Sequence, residues 1–151
     1  MKSAISRRQF IRSSCTACLG ATATGLVLSQ IAASCAPALP VFKTKFNAST
    51  LEIPVSSFAT SALLIVRDMQ MTYDILVIKK SETEYQSIYM ECSHQSNPLT
   101  ATSNGLYCSA HGSAFDLDGN VKTEPAIYPL QKFKTELKND SLLINISNLK
   151  S

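Results

Sequence analysis

From residue 51 onward the apolar residues come in short runs separated by turn-forming residues. No helical period is sustained over the roughly eleven positions a helix needs to show itself. This pattern predicts an all-β domain. Candidate strands cover residues 51–58, 62–67, 74–79, 85–90, 106–108, 114–116, 133–138 and 142–146. Several of them end in residues that tolerate positive φ: Asn104-Gly105, Asp118-Gly119-Asn120 and Asn139-Asp140-Ser141. The last of these predicts a closing hairpin between the final two strands.

The first fifty residues read differently. Lys2, Arg7, Arg8 and Arg12 open the chain, no acidic residue precedes Glu52, and residues 13–34 carry no charge at all. The net charge of +3 over 151 residues therefore belongs to this segment, because residues 35–151 hold 10 basic and 11 acidic side chains. Nucleic acid is excluded as a partner of the remainder on that ground. With 45% apolar and 17% charged residues, the chain has the composition of one globular domain rather than a collagenous or disordered polymer. The division this suggests is a signal segment over 1–34, a tether over 35–50 and the domain over 51–148. Within the tether, Ala36-Pro37-Ala38-Leu39-Pro40 makes a short stiff spacer.

Two local motifs bear on location. Ser6-Arg7-Arg8-Gln9-Phe10-Ile11 resembles the twin-arginine export signal, which implies export of an already folded protein with any cofactor inserted beforehand. Ile31-Ala32-Ala33-Ser34-Cys35 resembles a bacterial lipobox, which implies that Cys35 is lipidated and tethers the domain to a membrane outside the cytoplasm. Residues 13–34 are long enough to be retained as a span, although the eight Ser, Thr and Gln among them weaken that reading. Release in soluble form is the third possibility.

Both histidines of the chain sit beside a cysteine, in Cys92-Ser93-His94 and Cys108-Ser109-Ala110-His111. Thiolate sulfur and neutral imidazole nitrogen are the donors that transition metals of intermediate softness select. Two Cys and two His can build a tetrahedral zinc site, but structural zinc more often uses C-x-x-C knuckles. An exported location would also permit a Cys92–Cys108 disulfide, at the cost of leaving two adjacent histidines without a role. Cys15 and Cys18 do form a C-x-x-C pair, but they lie in the apolar run of the signal and read as small apolar residues there.

The pattern C-x-H followed by C-x-x-H closely resembles the Rieske family. That resemblance implies one [2Fe–2S] cluster per chain, with Cys92 and Cys108 on one iron and His94 and His111 on the other. The division suits the chemistry, since thiolates favour the iron that stays ferric and neutral imidazoles raise the potential of its neighbour. The match continues through Gly112-Ser113-Ala114-Phe115-Asp116 and the proline-containing Glu124-Pro125-Ala126, so that residues 85–137 carry it. It implies a fold of small stacked antiparallel sheets with a cluster-binding subdomain.

Within the same resemblance, Ser113 takes the place of a hydroxyl that donates to a cluster sulfur, and Phe115 replaces the tyrosine that supplies a second. Asn97 and Ala110 stand where respiratory members carry a disulfide, and Gln95 stands where they often carry leucine at the quinol-docking tip. A potential below the respiratory range is the expectation. No nucleophile or acid–base pair accompanies the motif. The expected role is accordingly an electron carrier with a protein donor and a protein acceptor. It would serve as a subunit or redox partner of a membrane or periplasmic oxidoreductase of the quinol-oxidising or molybdenum type, or as a free-standing ferredoxin-like carrier. A zinc-stabilised module without redox function is the remaining alternative.

Overall fold

The computed structural model describes residues 38–45 and 49–149; the export motif, Cys35 and the candidate span over 13–34 lie outside the described residues. Among the described residues no helix is long and apolar enough to cross a membrane. Two sheets account for the strands. The first has the order β1-β3-β4-β5-β10-β11-β2, built from β1 (Val41–Lys43), β2 (Thr50–Pro54), β3 (Leu63–Arg67), β4 (Ile75–Lys79), β5 (Tyr85–Tyr89), β10 (Lys132–Lys138) and β11 (Ser141–Asn145). The second is a four-stranded meander of β6 (Thr100–Thr102), β7 (Gly105–Tyr107), β8 (Ala114–Phe115) and β9 (Val121–Thr123).

Strands β3, β4 and β5 pair antiparallel at the centre of the large sheet, and both of its faces are covered there. Leu64, Val66, Ile75, Val77, Tyr85 and Tyr89 face a core shared with Leu51 and Ile53 of β2 and Leu142 and Ile144 of β11. Leu63, Leu76, Ile78 and Ile88 face the other way, against Leu99, Leu106, Phe115, Ala126 and Leu130 of the smaller sheet and its loops. Double coverage explains why Leu63-Leu64-Ile65-Val66 and Ile75-Leu76-Val77-Ile78 do not alternate with polar residues: in β4 all four are buried.

The smaller sheet is an insertion. β5 and β10 are neighbours in the large sheet, with Ile88 opposite Lys132 and Ser87 opposite Phe133, so everything between them leaves and re-enters at one sheet end. The Tyr89 N–H to Gln131 C=O bond of 2.9 Å closes the mouth of that excursion. Side chains then fasten it to the large sheet: Gln86 Nε2 donates to the Leu117 carbonyl at 3.1 Å, and Lys80 pairs with Asp118 at 2.7 Å.

The expected strand over 51–58 stops at Pro54, and Val55–Phe58 form a 3₁₀ turn. Its partner β11 begins at Ser141 opposite Pro54, so beyond that point no ladder remains to join. The predicted closing hairpin is β10–β11, turning at Asn139 with φ 53°. Three short strands, β1, β6 and β9, have no signal in the sequence. β1 falls inside the stretch expected as tether and pairs parallel with β3, with Val41 opposite Ile65.

Glycine is required at one turn of the meander. Gly105 has φ 153°, and a Cβ built there would run into the carbonyl oxygen of Phe115 on the neighbouring strand.

Candidate metal centre

The two cysteine–histidine segments fold into the same loop. In the first, the Cys92 N–H donates to Asn97 C=O at 2.8 Å and the Ser96 N–H donates to Cys92 C=O at 2.9 Å. In the second, the Cys108 N–H donates to Ser113 C=O at 2.8 Å and the Gly112 N–H donates to Cys108 C=O at 3.0 Å. Each cysteine thus closes bonds to the fourth and fifth residues after it. Turning the chain that sharply needs a left-handed residue at the fourth position, which Ser96 (φ 44°) and Gly112 (φ 84°) supply. The histidine sits inside each turn, second after the cysteine in one loop and third in the other.

Burial grades across the site. Cys92 and Cys108 are free thiols, 1% and 0% exposed and part of the core beneath the meander, whereas His94 is half-buried and His111 exposed. The two imidazoles meet edge to face with ring centroids 5.0 Å apart. Two rings ligating one tetrahedral metal through nitrogen would lie at about that separation. Nδ1 of His94 is buried with no hydrogen-bond partner, although an unmet polar atom of that kind costs about 1–3 kcal/mol. A lone pair held in that position suits a metal better than an apolar wall.

The thiols lead to the same inference. Burial pushes the Cys92 thiol above its ordinary pKa and the adjacent Cys108 pushes it further, against the backbone N–H groups of His94 and Gln95 that favour the thiolate. Two buried thiolates side by side call for a cation. Among the described residues no three His, Cys, Asp or Glu side chains converge on a single point. Sulfurs held as one pair and imidazoles as another fit a binuclear centre with two protein ligands per metal.

The chain's sequence matches the Rieske [2Fe–2S] domain over residues 58–134, which takes in both loops and more than half of the chain. The chain belongs to the Rieske family. Its domain therefore binds one [2Fe–2S] cluster and is of the electron-transfer kind. Rieske structures with the same fold include the plasma membrane Rieske protein PetC3 of the cyanobacterium Synechocystis PCC 6803, at 16% identity over 63% of this chain and 98% of that one, with a TM-score of 0.53. Another is the quaternary ammonium Rieske monooxygenase CntA, at 17% identity over 68% of this chain and 33% of that one, with a TM-score of 0.52. A search of curated protein sequences gave no match.

A third segment adjoins the two loops. Residues 124–130 run past both loops, with a cis peptide between Glu124 and Pro125. The Ala126 N–H donates to Ser113 Oγ at 3.0 Å, and Ser93 Oγ donates to the Tyr128 carbonyl at 2.6 Å. The motif points to Ser113 as a donor toward the cluster. The structure adds that the same hydroxyl, fully buried, accepts from the proline loop, which leaves its proton free to donate. Ser93 and Tyr73 are contributions that the sequence reading misses. Tyr73, from the turn before β4, donates to the carbonyl of Ser96 and packs edge to face on Tyr89, which packs in turn on Phe133 at 5.6 Å. The place of Ser93 inside the motif is a signal that could have found it; nothing in the sequence around Tyr73 marks it.

Proposed function

We propose that the chain is an exported, membrane-tethered Rieske electron-transfer protein serving as a subunit or redox partner of a membrane or periplasmic oxidoreductase. The observation that carries the site assignment is the pair of equivalent loops, which set two buried thiols beneath two more exposed imidazoles. On this reading Cys92 and Cys108 would hold one iron and His94 and His111 the other, with the unpartnered Nδ1 as the His94 ligand atom. The bound cluster supplies one-electron redox chemistry near the protein surface.

The rest is the work of the chain. Leu106, Phe115 and Leu130 pack in one buried cluster with both cysteines, and N–H groups of His94 and Gln95 stabilise negative charge on the Cys92 sulfur. Of the four residues His111 is the exposed one, so the face that carries it is where a partner approaches. Export and tethering rest on the twin-arginine-like run at Arg7-Arg8 and the lipobox-like run ending at Cys35, and a plasma membrane location, as in the matched cyanobacterial protein, is compatible with both.

Purified protein should contain two irons and two acid-labile sulfides per chain and give a reduced-state EPR signal. His94→Cys or His111→Cys should lower the midpoint potential or abolish the cluster, since a charged thiolate replaces a neutral ligand. Zinc in place of iron would overturn the assignment. Co-purification of a cytochrome or a molybdenum enzyme supports the subunit role; a monomer reduced by soluble donors points instead to a free-standing carrier.

A further inference from the structure

We propose that residues 124–130 are the recognition element through which a redox partner seats itself over the cluster, and that this partner presents an apolar patch ringed by lysine or arginine. The proposal rests on the electron-transfer reading above and goes beyond it by naming the surface and the chemistry of the partner.

Ala126 and Leu130 are buried and root the segment, 0% and 4% exposed. Between them Ile127 and Tyr128 stand 70% and 65% exposed. Two adjacent large apolar side chains in water gain nothing for the fold, and such patches on soluble domains mark contact sites. The segment is held at several points: Ala126 N–H on Ser113, Tyr128 C=O on Ser93, and Leu130 N–H on the Gly119 carbonyl at 2.8 Å. A partner therefore finds the two side chains already positioned and loses little to ordering them. Two of those anchors belong to the ligand loops themselves, Ser93 lying between Cys92 and His94. Whatever covers Tyr128 comes to rest beside the histidines.

Charge selects the partner. From Met90 to Leu130 the chain carries four carboxylates, Glu91, Asp116, Asp118 and Glu124, against one cation, Lys122. Asp118 is paired with Lys80, and Asp116 is committed to its own turn, accepting from Asp118 N–H, Asn120 N–H and Asn120 Nδ2. Glu91 and Glu124 take part in no ion pair among the described residues, and Glu124 opens the segment that carries Ile127 and Tyr128, so its negative charge stands close to the patch. Such a surface repels an anionic lipid surface or a second copy of itself and attracts a cationic rim.

The test uses the full chain, purified in detergent with its cluster reduced, and an oxidised lysine-rimmed cytochrome c as probe; each electron leaving the protein reduces one ferric haem. A small neutral benzoquinone serves as a control oxidant that needs no docking. The double variant Ile127→Ser, Tyr128→Ser should lose tenfold or more in the second-order rate with the cytochrome and keep its benzoquinone rate and EPR spectrum. Glu124→Lys should slow the cytochrome reaction at low salt, and the difference should vanish at high salt. A cytochrome rate unchanged in both variants overturns the proposal, as does an equal loss with both oxidants. Anionic vesicles that bind the wild type through Ile127 and Tyr128 would also overturn it, in favour of a membrane-facing loop. Absence of iron or of the EPR signal would refute the electron-transfer reading itself, which is a separate outcome.

Discussion

Ser113→Ala should reveal two functions of one hydroxyl. In the fold, Ser113 Oγ is the acceptor for the Ala126 N–H at 3.0 Å, and both residues are 0% exposed. Alanine leaves that donor buried and unmet, which costs about 1–3 kcal/mol. For a domain of this size each kcal/mol lowers Tm by roughly 4–8 °C, so loss of the cluster's visible absorption on heating should move down by roughly 10 °C. In the redox chemistry, the proton that Ser113 can still donate stabilises the extra electron if it reaches a cluster sulfur. A difference of about 1 kcal/mol between the two redox states corresponds to roughly 40 mV for one electron, given about 59 mV per tenfold change. The midpoint potential of Ser113→Ala should fall by that order. Thermal melting and equilibrium redox titration of the same preparation read the two effects separately. An unchanged melting temperature would refute the tie to Ala126, and a lower melting temperature with an unchanged potential would show that the hydroxyl proton does not serve the cluster.

Five further outcomes are expected. Phe115→Tyr should raise the midpoint potential, because the ring packs in the same buried cluster as Cys92 and Cys108, and a redox titration that shows no change refutes the added hydrogen bond. Gly105→Ala should cost on the order of 3 kcal/mol and yield little cluster-loaded protein, since its Cβ meets the Phe115 carbonyl at a positive φ; normal iron content would contradict the hairpin geometry. Burial tends to raise the Asp116 carboxyl, but the N–H groups of Asn120 and Asp118 and the Asn120 amide outweigh it and hold the pKa below the ordinary value. Stability from this group is thus present above the unfolded pKa of about 3.9 and lost as pH falls through the folded one, so Asp116→Asn should be less stable at neutral pH and lose less between about pH 4 and pH 2 in denaturant melts. Finally, Arg7→Lys with Arg8→Lys should retain cluster-bearing protein in the cytoplasm on fractionation, and Cys35→Ala should abolish lipid labelling without blocking export; a wild type free of covalent lipid would refute the anchor.

Residue type and short-range spacing make the candidate metal site legible in the sequence. A cysteine and a histidine two or three residues apart can reach a common centre only through a tight local turn, so the requirement is written within Cys92–His94 and Cys108–His111 themselves. The strongest strands are legible for a similar reason: dense β-branched and aliphatic runs such as those of β3 and β4 have few places to go except a covered sheet. Tertiary structure alone decides what depends on a distant neighbour. Thr100–Thr102 and Val121–Thr123 are strands because a hairpin partner offers them a ladder, and Val55–Phe58 are not because theirs has ended. Covering both faces of β3–β5 takes residues from opposite ends of the domain. The ties of Ser93 to Tyr128, Ser113 to Ala126 and Tyr73 to Ser96 join positions 35, 13 and 23 residues apart. A hydroxyl gives no sign in sequence of which carbonyl or amide it will meet, because that choice is made by how the loops pack once the chain has folded.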